Sequence, residues 1–260
     1  MLKFKQPVSR PRVFQRLVTL IALSVAGLNA HADQVMVAVA ANFAAPMKVI
    51  AQQFERDTGH QVRMSFGSTG QFYAQIKNGA PFSILLAADE RTPEKIEQEG
   101  LGVAGTRFTY ATGKLVLWSK KPGLVDGSDA ILRSGAADKV AIANPKLAPY
   151  GAAAAEVINK LGLTDKLTPN IVEGANVGQV YQFVASGNAT VGFIALSQVY
   201  ENGKISQGSA WMIPSGLHQP IKQDAILLNK GRANAAANLL MTYLQGDQAA
   251  YVIRSFGYER

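Results

Sequence analysis

The sequence predicts an α/β protein whose sheets are mainly parallel. From Gln34 onward, short apolar runs of strand length alternate with longer segments whose apolar residues recur at helical spacing. Glycine, proline and asparagine separate the two kinds of segment. Such alternation is typical of α/β architecture, because each helix returns the chain so that the next strand lies parallel to the last. Of the 260 residues, 48% are hydrophobic, which is enough for one sizeable core or two smaller ones.

The first third of the chain predicts three strand-and-helix units. In the first helix Met47, Ile50 and Phe54 share one face, and Gly59 marks its end. Gly100 ends the third helix in the same way, after a start at Thr92-Pro93. The predicted strands of this region are 35–40, 62–66 and 83–88.

The rest of the chain repeats this pattern. Its apolar runs predict four strands, and its amphipathic segments predict helices between and after them. The predicted strands are 115–118, 140–143, 191–194 and 225–228, and the predicted helices are 152–161, 177–186, 233–244 and 248–256.

The N-terminus has the pattern of a removable export signal. Five basic residues precede the apolar stretch 17–28, and small residues follow it at Ala30 and Ala32. The apolar stretch is too short to cross a bilayer, which takes about 20 residues. We therefore predict a signal peptide at 1–32, cleaved near Ala32, and an exported mature chain.

Removal of this segment changes the charge balance. The whole chain has 26 basic and 18 acidic residues, and the five basic ones in the signal leave 21 against 18. A net charge of about +3 is ordinary for a soluble domain, so nucleic acid is not a predicted partner.

Several catalytic and cofactor chemistries lack the residues they need. The glycines at 100, 102 and 105 match a dinucleotide-binding spacing, but they follow a helix instead of opening one, which indicates a helix end and a turn. The sequence has no phosphate-binding loop, no nucleophile elbow and no cysteine. His60 and His218 lie in no metal-ligand motif. We therefore predict no catalytic residue, no cofactor and no site for a bare metal cation.

Four turns, each joining a strand end to a helix start, form the informative pattern. Helix N-termini at the carboxyl ends of parallel strands offer unpaired N–H groups with partial positive charge, and several facing each other make an anion site. The side chains here are small or neutral hydrogen-bonding groups. Neutral donors suit a fully ionised oxyanion, whereas a protonated one would also need an acceptor. The four turns are 40–43, 67–70, 149–151 and 174–177.

Each turn also has a simpler interpretation. Asn42 and Thr69 are residues that commonly cap helices. Gly67 and Gly70 suit a hairpin-like bend, and Tyr150 would then be a surface ring beside a proline turn. The recurrence of the pattern across the chain favours the anion site.

At these residues the chain closely resembles the periplasmic molybdate-binding proteins of ABC transporters, the ModA family. The resemblance extends from about Gln34 to the C-terminus. The segments that carry it are AANF at 40–43, FGSTGQFYAQIKNGAP at 66–81, LLAADE at 85–90, FTYATGKLVLWSKKPGL at 108–124, NPKLAPYG at 144–151 and ANVGQV at 175–180.

The resemblance implies a class II periplasmic-binding-protein fold, with two α/β lobes and a ligand cleft between them. The expected lobes are 33–112 plus 216–260 for lobe 1 and 113–215 for lobe 2, with crossovers near 110–113 and 214–219. The implied oxyanion contacts are Ala41, Asn42, Ser68, Thr69, Tyr150 and Val177, and at Ala41, Tyr150 and Val177 the donor is the backbone N–H.

Two positions depart from the pattern of many family members. Asn42 stands where serine is common, so that an amide N–H₂ is expected to replace a hydroxyl donor. Ala195 stands where a ligand-contacting tyrosine is common, which removes one hydroxyl. In the second turn, Ser68 and Thr69 remain alternatives as the main contact.

The function implied is capture of molybdate or tungstate by the substrate-binding component of an ABC importer, with delivery to a membrane permease. The protein is then a monomer and no enzyme, and molybdenum enters only as the oxyanion. Size would discriminate against sulfate, because molybdate and tungstate have longer bonds to oxygen. The alternatives are a receptor for another oxyanion such as sulfate, or an exported hydrolase or transferase on a similar scaffold.

Overall fold

Strands and helices alternate along most of the chain in the computed structural model, which describes residues 1–3, 33–201 and 203–260. The predicted signal peptide lies almost entirely outside the described residues. Residues Asp33–Arg260 form one compact unit. No helix within the described ranges is long and apolar enough to span a membrane.

The first sheet has five strands in the order β2-β1-β3-β12-β4. Strand β1 pairs in parallel with β2 and β3, and β12 pairs antiparallel with β3 and β4. These strands are β1 (Gln34–Ala40), β2 (Gln61–Gly67), β3 (Ile84–Leu86), β4 (Phe108–Gly113) and β12 (Ile221–Leu227). The helices of the same part of the chain are α1 (Ala44–Thr58), α2 (Thr69–Lys77) and α3 (Arg91–Gln98), joined by α8 (Ala235–Gln245) and α9 (Asp247–Ser255) from the C-terminus.

The second sheet also has five strands, in the order β11-β5-β8-β6-β7. Strand β6 pairs in parallel with β7 and β8, and β5 pairs antiparallel with β8 and β11. The strands are β5 (Leu115–Ser119), β6 (Val140–Ala143), β7 (Ile171–Gly174), β8 (Val191–Ala195) and β11 (Ser209–Met212). The intervening helices are α4 (Ala130–Ser134), α5 (Pro149–Lys160), α6 (Thr164–Leu167) and α7 (Val177–Ser186), and β9 (Tyr200–Glu201) and β10 (Lys204–Ile205) form a small hairpin.

Local chemistry explains where the elements near the site begin and end. Gly59 ends α1 in the left-handed conformation with φ of 75°, which costs glycine little. Pro149 is the first residue of α5, where its missing N–H costs no hydrogen bond and its fixed φ suits the helix. The predicted start of this helix at Ala152 was therefore wrong, and Tyr150 and Gly151 belong to its first turn.

The prediction of mainly parallel sheets was wrong. Four strand pairs in the two large sheets are parallel and four are antiparallel. The antiparallel pairs all involve β5 or β12, the first strand after each passage of the chain between the sheets. Their local sequence resembles that of the parallel strands, since both kinds are buried and apolar.

Each sheet has its own buried apolar residues, and the chain passes between the sheets twice. Phe43, Phe54 and Leu240 are packed against the first sheet, and Trp118 and Phe193 are buried residues of strands in the second. The first passage is at the single residue between β4 and β5, and the return runs from β11 to β12. The carboxyl ends of β1, β2, β6 and β7 are thereby followed by the four turns of interest.

Candidate functional site

The four turns meet around one small cavity. All six residues predicted as oxyanion contacts line it, and its twelve lining residues are uncharged. It offers about 10 Å³ to the centre of a water-sized sphere, or roughly the space of one water. The lining residues are Ala40, Ala41, Asn42, Gly67, Ser68, Thr69, Ala88, Ala148, Pro149, Tyr150, Asn176 and Val177.

The first turn follows β1 directly as a 3₁₀ turn at Ala41–Phe43. Phe43 anchors it in the core, with its ring centroid 4.7 Å from that of Tyr110 and 5.5 Å from that of Tyr258. Asn42 is buried beside the cavity and its side chain makes no capping hydrogen bond. The interpretation of Asn42 as a simple helix cap was therefore wrong.

In the second turn Ser68, not Thr69, caps the helix. Ser68 Oγ accepts from Gln71 N at 3.4 Å, and Gln71 Oε1 accepts from Ser68 N at 3.3 Å, which makes a capping box at the start of α2. Thr69 Oγ1 accepts from Ala88 N at 2.9 Å, which ties the turn to the end of β3. Both hydroxyls act as acceptors in these bonds, so each keeps its own hydrogen to donate.

The third and fourth turns come from the second sheet. Tyr150 is in the first turn of α5 and is 2% exposed, so the interpretation as a surface ring was wrong. Gly151 allows α5 to start against β6, since a Cβ there would lie 2.1 Å from the Ala143 carbonyl oxygen. Asn176 caps α7 by accepting from Gln179 N at 3.1 Å, and Val177 is the first residue of that helix.

These helix starts leave several donors at the cavity. Ala41, Asn42, Thr69, Tyr150 and Val177 are each the first or second residue of a helix or 3₁₀ turn. The first N–H groups of a helix have no partner within it and carry partial positive charge. With the hydroxyls of Ser68 and Thr69 beside these helix starts, hydrogen-bond donors from both sheets surround one small space, which suits a buried anion.

The charged side chains nearby lie in a larger, adjoining cleft of about 470 Å³. This cleft shares Ala88, Ala148 and Pro149 with the small cavity and includes charges of both signs. Asp89 is the acidic residue next to Ala88, and its carboxylate accepts from Thr92 N at 2.7 Å and Thr92 Oγ1 at 3.2 Å. It thus serves the start of α3 and does not line the small cavity.

Contacts between the turns bring the two sheets together. Gly70 N at the start of α2 donates to Leu147 O at 2.9 Å. Ser197 Oγ, just after β8, donates to Asn42 O at 2.8 Å. The donors of the first two turns are therefore held against those of the last two.

The Asn42 amide is used differently from the prediction. Its Nδ2 donates to Gln223 Oε1 at 2.8 Å and to Tyr258 Oη at 3.0 Å, so both amide hydrogens are bonded to the protein. The expectation that this N–H₂ replaces a serine hydroxyl as the ligand donor does not match this geometry. A contact of Asn42 with a ligand would therefore have to use its backbone N–H.

Three buried tyrosines complete this polar network without adding charge. Burial raises the pKa of Tyr110 and Tyr150 well above the ordinary value, and burial raises the pKa of Tyr258 to about 12. At neutral pH the three phenols therefore remain protonated. Next to an anion site this matters, because a phenolate would repel the ligand.

Four residues of this network were missed by sequence reasoning: Tyr110, Ser197, Gln223 and Tyr258. Gln223 had no recognisable signal, because it lies between Lys222 and Asp224, ahead of the predicted strand 225–228. It is nevertheless fully buried in β12, and a buried amide in a central strand requires hydrogen-bond partners. Ala195, where many family members have a tyrosine, is fully buried in the core of the second sheet. The nearby hydroxyl of Ser197 donates to Asn42 O and does not line the cavity.

Comparison with known proteins agrees with this geometry. Residues 35–259 match the family model described as bacterial extracellular solute-binding protein. The molybdate-binding protein ModA of Azotobacter vinelandii is 58% identical over 94% of this chain and 96% of its own. The chain belongs to the ModA family of solute-binding proteins. Another family member, ModA of Rhodobacter capsulatus, is 49% identical over 95% of this chain and 97% of its own.

The solved structures support the same family fold. The periplasmic molybdate-binding protein of Azotobacter vinelandii superposes with a TM-score of 0.84 at 44% identity, covering 87% of this chain and 99% of that one. The chain thus has the two-sheet α/β fold of the periplasmic binding proteins, as predicted. Which of its residues contact a ligand stays a prediction.

Proposed function

We propose that this chain is the substrate-binding component of an ABC importer for molybdate and tungstate. The observation that carries the proposal is the convergence of four strand-to-helix turns, two from each sheet, on one small cavity without charged side chains. The proposed contacts are Ala41, Asn42, Tyr150 and Val177 through their backbone N–H groups, and Ser68 and Thr69 through their hydroxyls.

The chemistry of these groups selects a fully ionised oxyanion. Every available group donates, and the carboxylate nearest in sequence, Asp89, is bonded to Thr92. A dianion such as molybdate accepts at all four oxygens, whereas hydrogen phosphate would have one proton without an acceptor. Discrimination between tetrahedral dianions then depends on size, since backbone N–H groups fixed by two sheets fit one ionic radius.

The number of donors accounts for tight binding. A hydrogen bond to a charged group contributes roughly 1.5–3 kcal/mol, so that the six proposed donors give on the order of 10–20 kcal/mol before costs. Lobe closure and the lost freedom of the ligand subtract several kcal/mol from this sum. A submicromolar dissociation constant lies within what remains.

The cellular role follows from a binding component that closes on its ligand. We propose that the mature chain begins after cleavage near Ala32, acts as a monomer in the periplasm, and delivers the oxyanion to a membrane permease. The proposed lobes are 33–112 with 216–260, and 113–215. Their proposed motion is closure by hinge bending at the two passages between the sheets.

Thermal unfolding of the mature chain with each of four anions tests the proposal. Ligand at about 100 times its dissociation constant should stabilise the protein by about 2.7 kcal/mol, which is roughly 5–10 °C for a chain of this size. We expect this increase with molybdate and tungstate, and none with sulfate or phosphate. An increase in unfolding temperature with sulfate alone would mean that the protein is a receptor for sulfate and not for molybdate. No increase with any of the four anions would favour the alternative of an exported enzyme.

A further inference from the structure

One buried amide connects the two sides of the proposed oxyanion site. Gln223 lies on β12 of the first sheet and is 0% exposed. Its Oε1 accepts from Asn42 Nδ2 at 2.8 Å and from Tyr110 Oη at 3.0 Å, and its Nε2 donates to Tyr150 Oη at 3.1 Å. Asn42 belongs to a turn of the first sheet and Tyr150 to a helix of the second. A single side chain therefore bridges the residues that line opposite sides of the cavity.

The fold makes room for this bridge at Gly113. A Cβ at that position would lie 2.0 Å from Tyr150 Oη and 2.5 Å from Gln223 Nε2. Gly113 is the last residue of β4, immediately before the chain passes to the second sheet, and it pairs with Ile221 of β12. The bridge thus lies beside both strands that connect the two halves of the molecule.

The surroundings of Gln223 indicate why an amide is needed there. Ile221 and Ala225, two residues before and two after it on the strand, are buried and apolar, and an aliphatic side chain would fill such a position without the cost of burying an amide. The Gln223 amide instead accepts from Asn42 through Oε1 and donates to Tyr150 through Nε2. Its hydrogen bonds therefore fix the positions of two cavity-lining residues relative to each other.

We propose that Gln223 is a positioning residue for oxyanion binding, which holds the Asn42 turn and the start of α5 at the separation of the closed site. The inference rests on the proposed function. With the bridge in place, donors from both sheets meet the ligand at once. Without it, the two halves separate more easily, and the bound complex dissociates faster.

A double-mutant cycle for molybdate binding tests this inference. We expect Gln223→Met to raise the dissociation constant about 10- to 100-fold, mainly through faster dissociation, because two bonds that span the site are lost. Tyr150→Phe keeps the backbone donor and should have a smaller effect. Since both substitutions remove the same Gln223–Tyr150 bond, the double variant should bind about as weakly as Gln223→Met alone. Calorimetry gives the constants and stopped-flow gives the dissociation rates.

Gln223→Glu adds a readout that a purely structural role would not change. A carboxylate still accepts from Asn42 and can accept from the Tyr150 hydroxyl instead of donating to it, but it places a negative charge near the dianion, whereas the protonated carboxyl does not. Binding by this variant should therefore weaken as the pH rises from mildly acidic to mildly alkaline, more steeply than for the unsubstituted protein. If Gln223→Met does not fold, Tyr150→Phe and Gln223→Glu provide the test.

Ser119→Ala is the matched control. Ser119 is also fully buried and donates to Thr190 O at 2.9 Å, but it lies outside the cavity. We expect a lower unfolding temperature and unchanged binding for this variant. Equal dissociation constants for Gln223→Met and the unsubstituted protein, or additive losses in the cycle, would overturn the inference. If the unsubstituted protein binds no molybdate, the proposed function is what fails.

Discussion

The uncharged side chain of Asn42 lies close to the proposed anion, and the importance of its missing charge can be tested by substitution. Replacement by Asp changes one atom and places a carboxylate at a buried position that lines the cavity. We expect molybdate affinity to fall more than about 100-fold at neutral pH, because a buried charge repels the dianion with little screening. Burial raises the pKa of such a carboxyl, so affinity should partly recover as the pH falls and the new group is neutralised. Titration calorimetry at several pH values measures both effects.

The control for this substitution is the same chemical change far from the cavity. Asn234 caps α8, accepting from Ala237 N at 2.8 Å, and Asp is an equally good cap. Asn234→Asp should bind molybdate as the unsubstituted protein does. If Asn42→Asp binds equally well, the cavity is not the anion site.

At the residue scale, the sequence revealed the turns but not the network behind them. Ala41, Ser68, Tyr150 and Val177 could be predicted because each lies where a strand ends and a helix starts, and these local patterns are readable. The hydrogen-bond partner of the Asn42 side chain could not be predicted, since Gln223 is 181 positions away in the chain. No local pattern encodes such a contact, and the direction of an amide depends on all its neighbours.

Among the elements, α5 depends most on a close approach of backbone to backbone. A Cβ on Gly151 would lie 2.1 Å from Ala143 O and 2.7 Å from Ala143 C, and neither is a flexible group. Gly151→Ala should therefore push the start of α5 away from β6 and destabilise the fold by about 1–3 kcal/mol. It should also weaken molybdate binding, because the Tyr150 N–H moves with the helix. Urea unfolding and calorimetry measure the two losses.

Ala155→Ser adds one atom to the same helix at a half-buried position. We expect it to change the unfolding free energy by less than about 0.5 kcal/mol and to leave binding unchanged. Equal effects of the two substitutions would mean that the close contact at Gly151 does not set the position of α5.

The predictions of individual elements succeeded where local chemistry decides the boundary. Strand β6 and helix α7 have the predicted limits, since apolar residues define the one and Asn176 and Gly187 cap the other. The local pattern did not predict strand β4, because Thr109, Thr112 and Gly113 interrupt its apolar residues, and only the resemblance implied a crossover near 110–113. Strand pairing was beyond local sequence altogether, since whether β12 pairs parallel or antiparallel depends on where the chain returns from the second sheet.

At the scale of the whole molecule, the two halves are in backbone contact at Gly70. Gly70 at the start of α2 donates its N–H to Leu147 O at 2.9 Å, and a Cβ at this glycine would lie 3.0 Å from that oxygen and 3.1 Å from Leu147 Cα. Because both atoms belong to backbone, they yield only if the two halves move apart. In the proposed closure, this contact would therefore limit how closely the two halves approach.

Gly70→Ala should oppose closure of the two halves on the ligand without lowering the stability of the fold. Ala is a better helix former than Gly by about 1 kcal/mol, so the unliganded protein should unfold at the same or a higher temperature. We expect about 3- to 10-fold weaker molybdate binding, since the added methyl group opposes closure at an energy cost of about 1 kcal/mol. Small-angle scattering should show a smaller decrease in radius of gyration on ligand binding than for the unsubstituted protein. Gly216→Ala, where a Cβ meets nothing within 4 Å, should leave binding and compaction unchanged, and equal behaviour of the two variants would show that closure does not pass through the Gly70 contact.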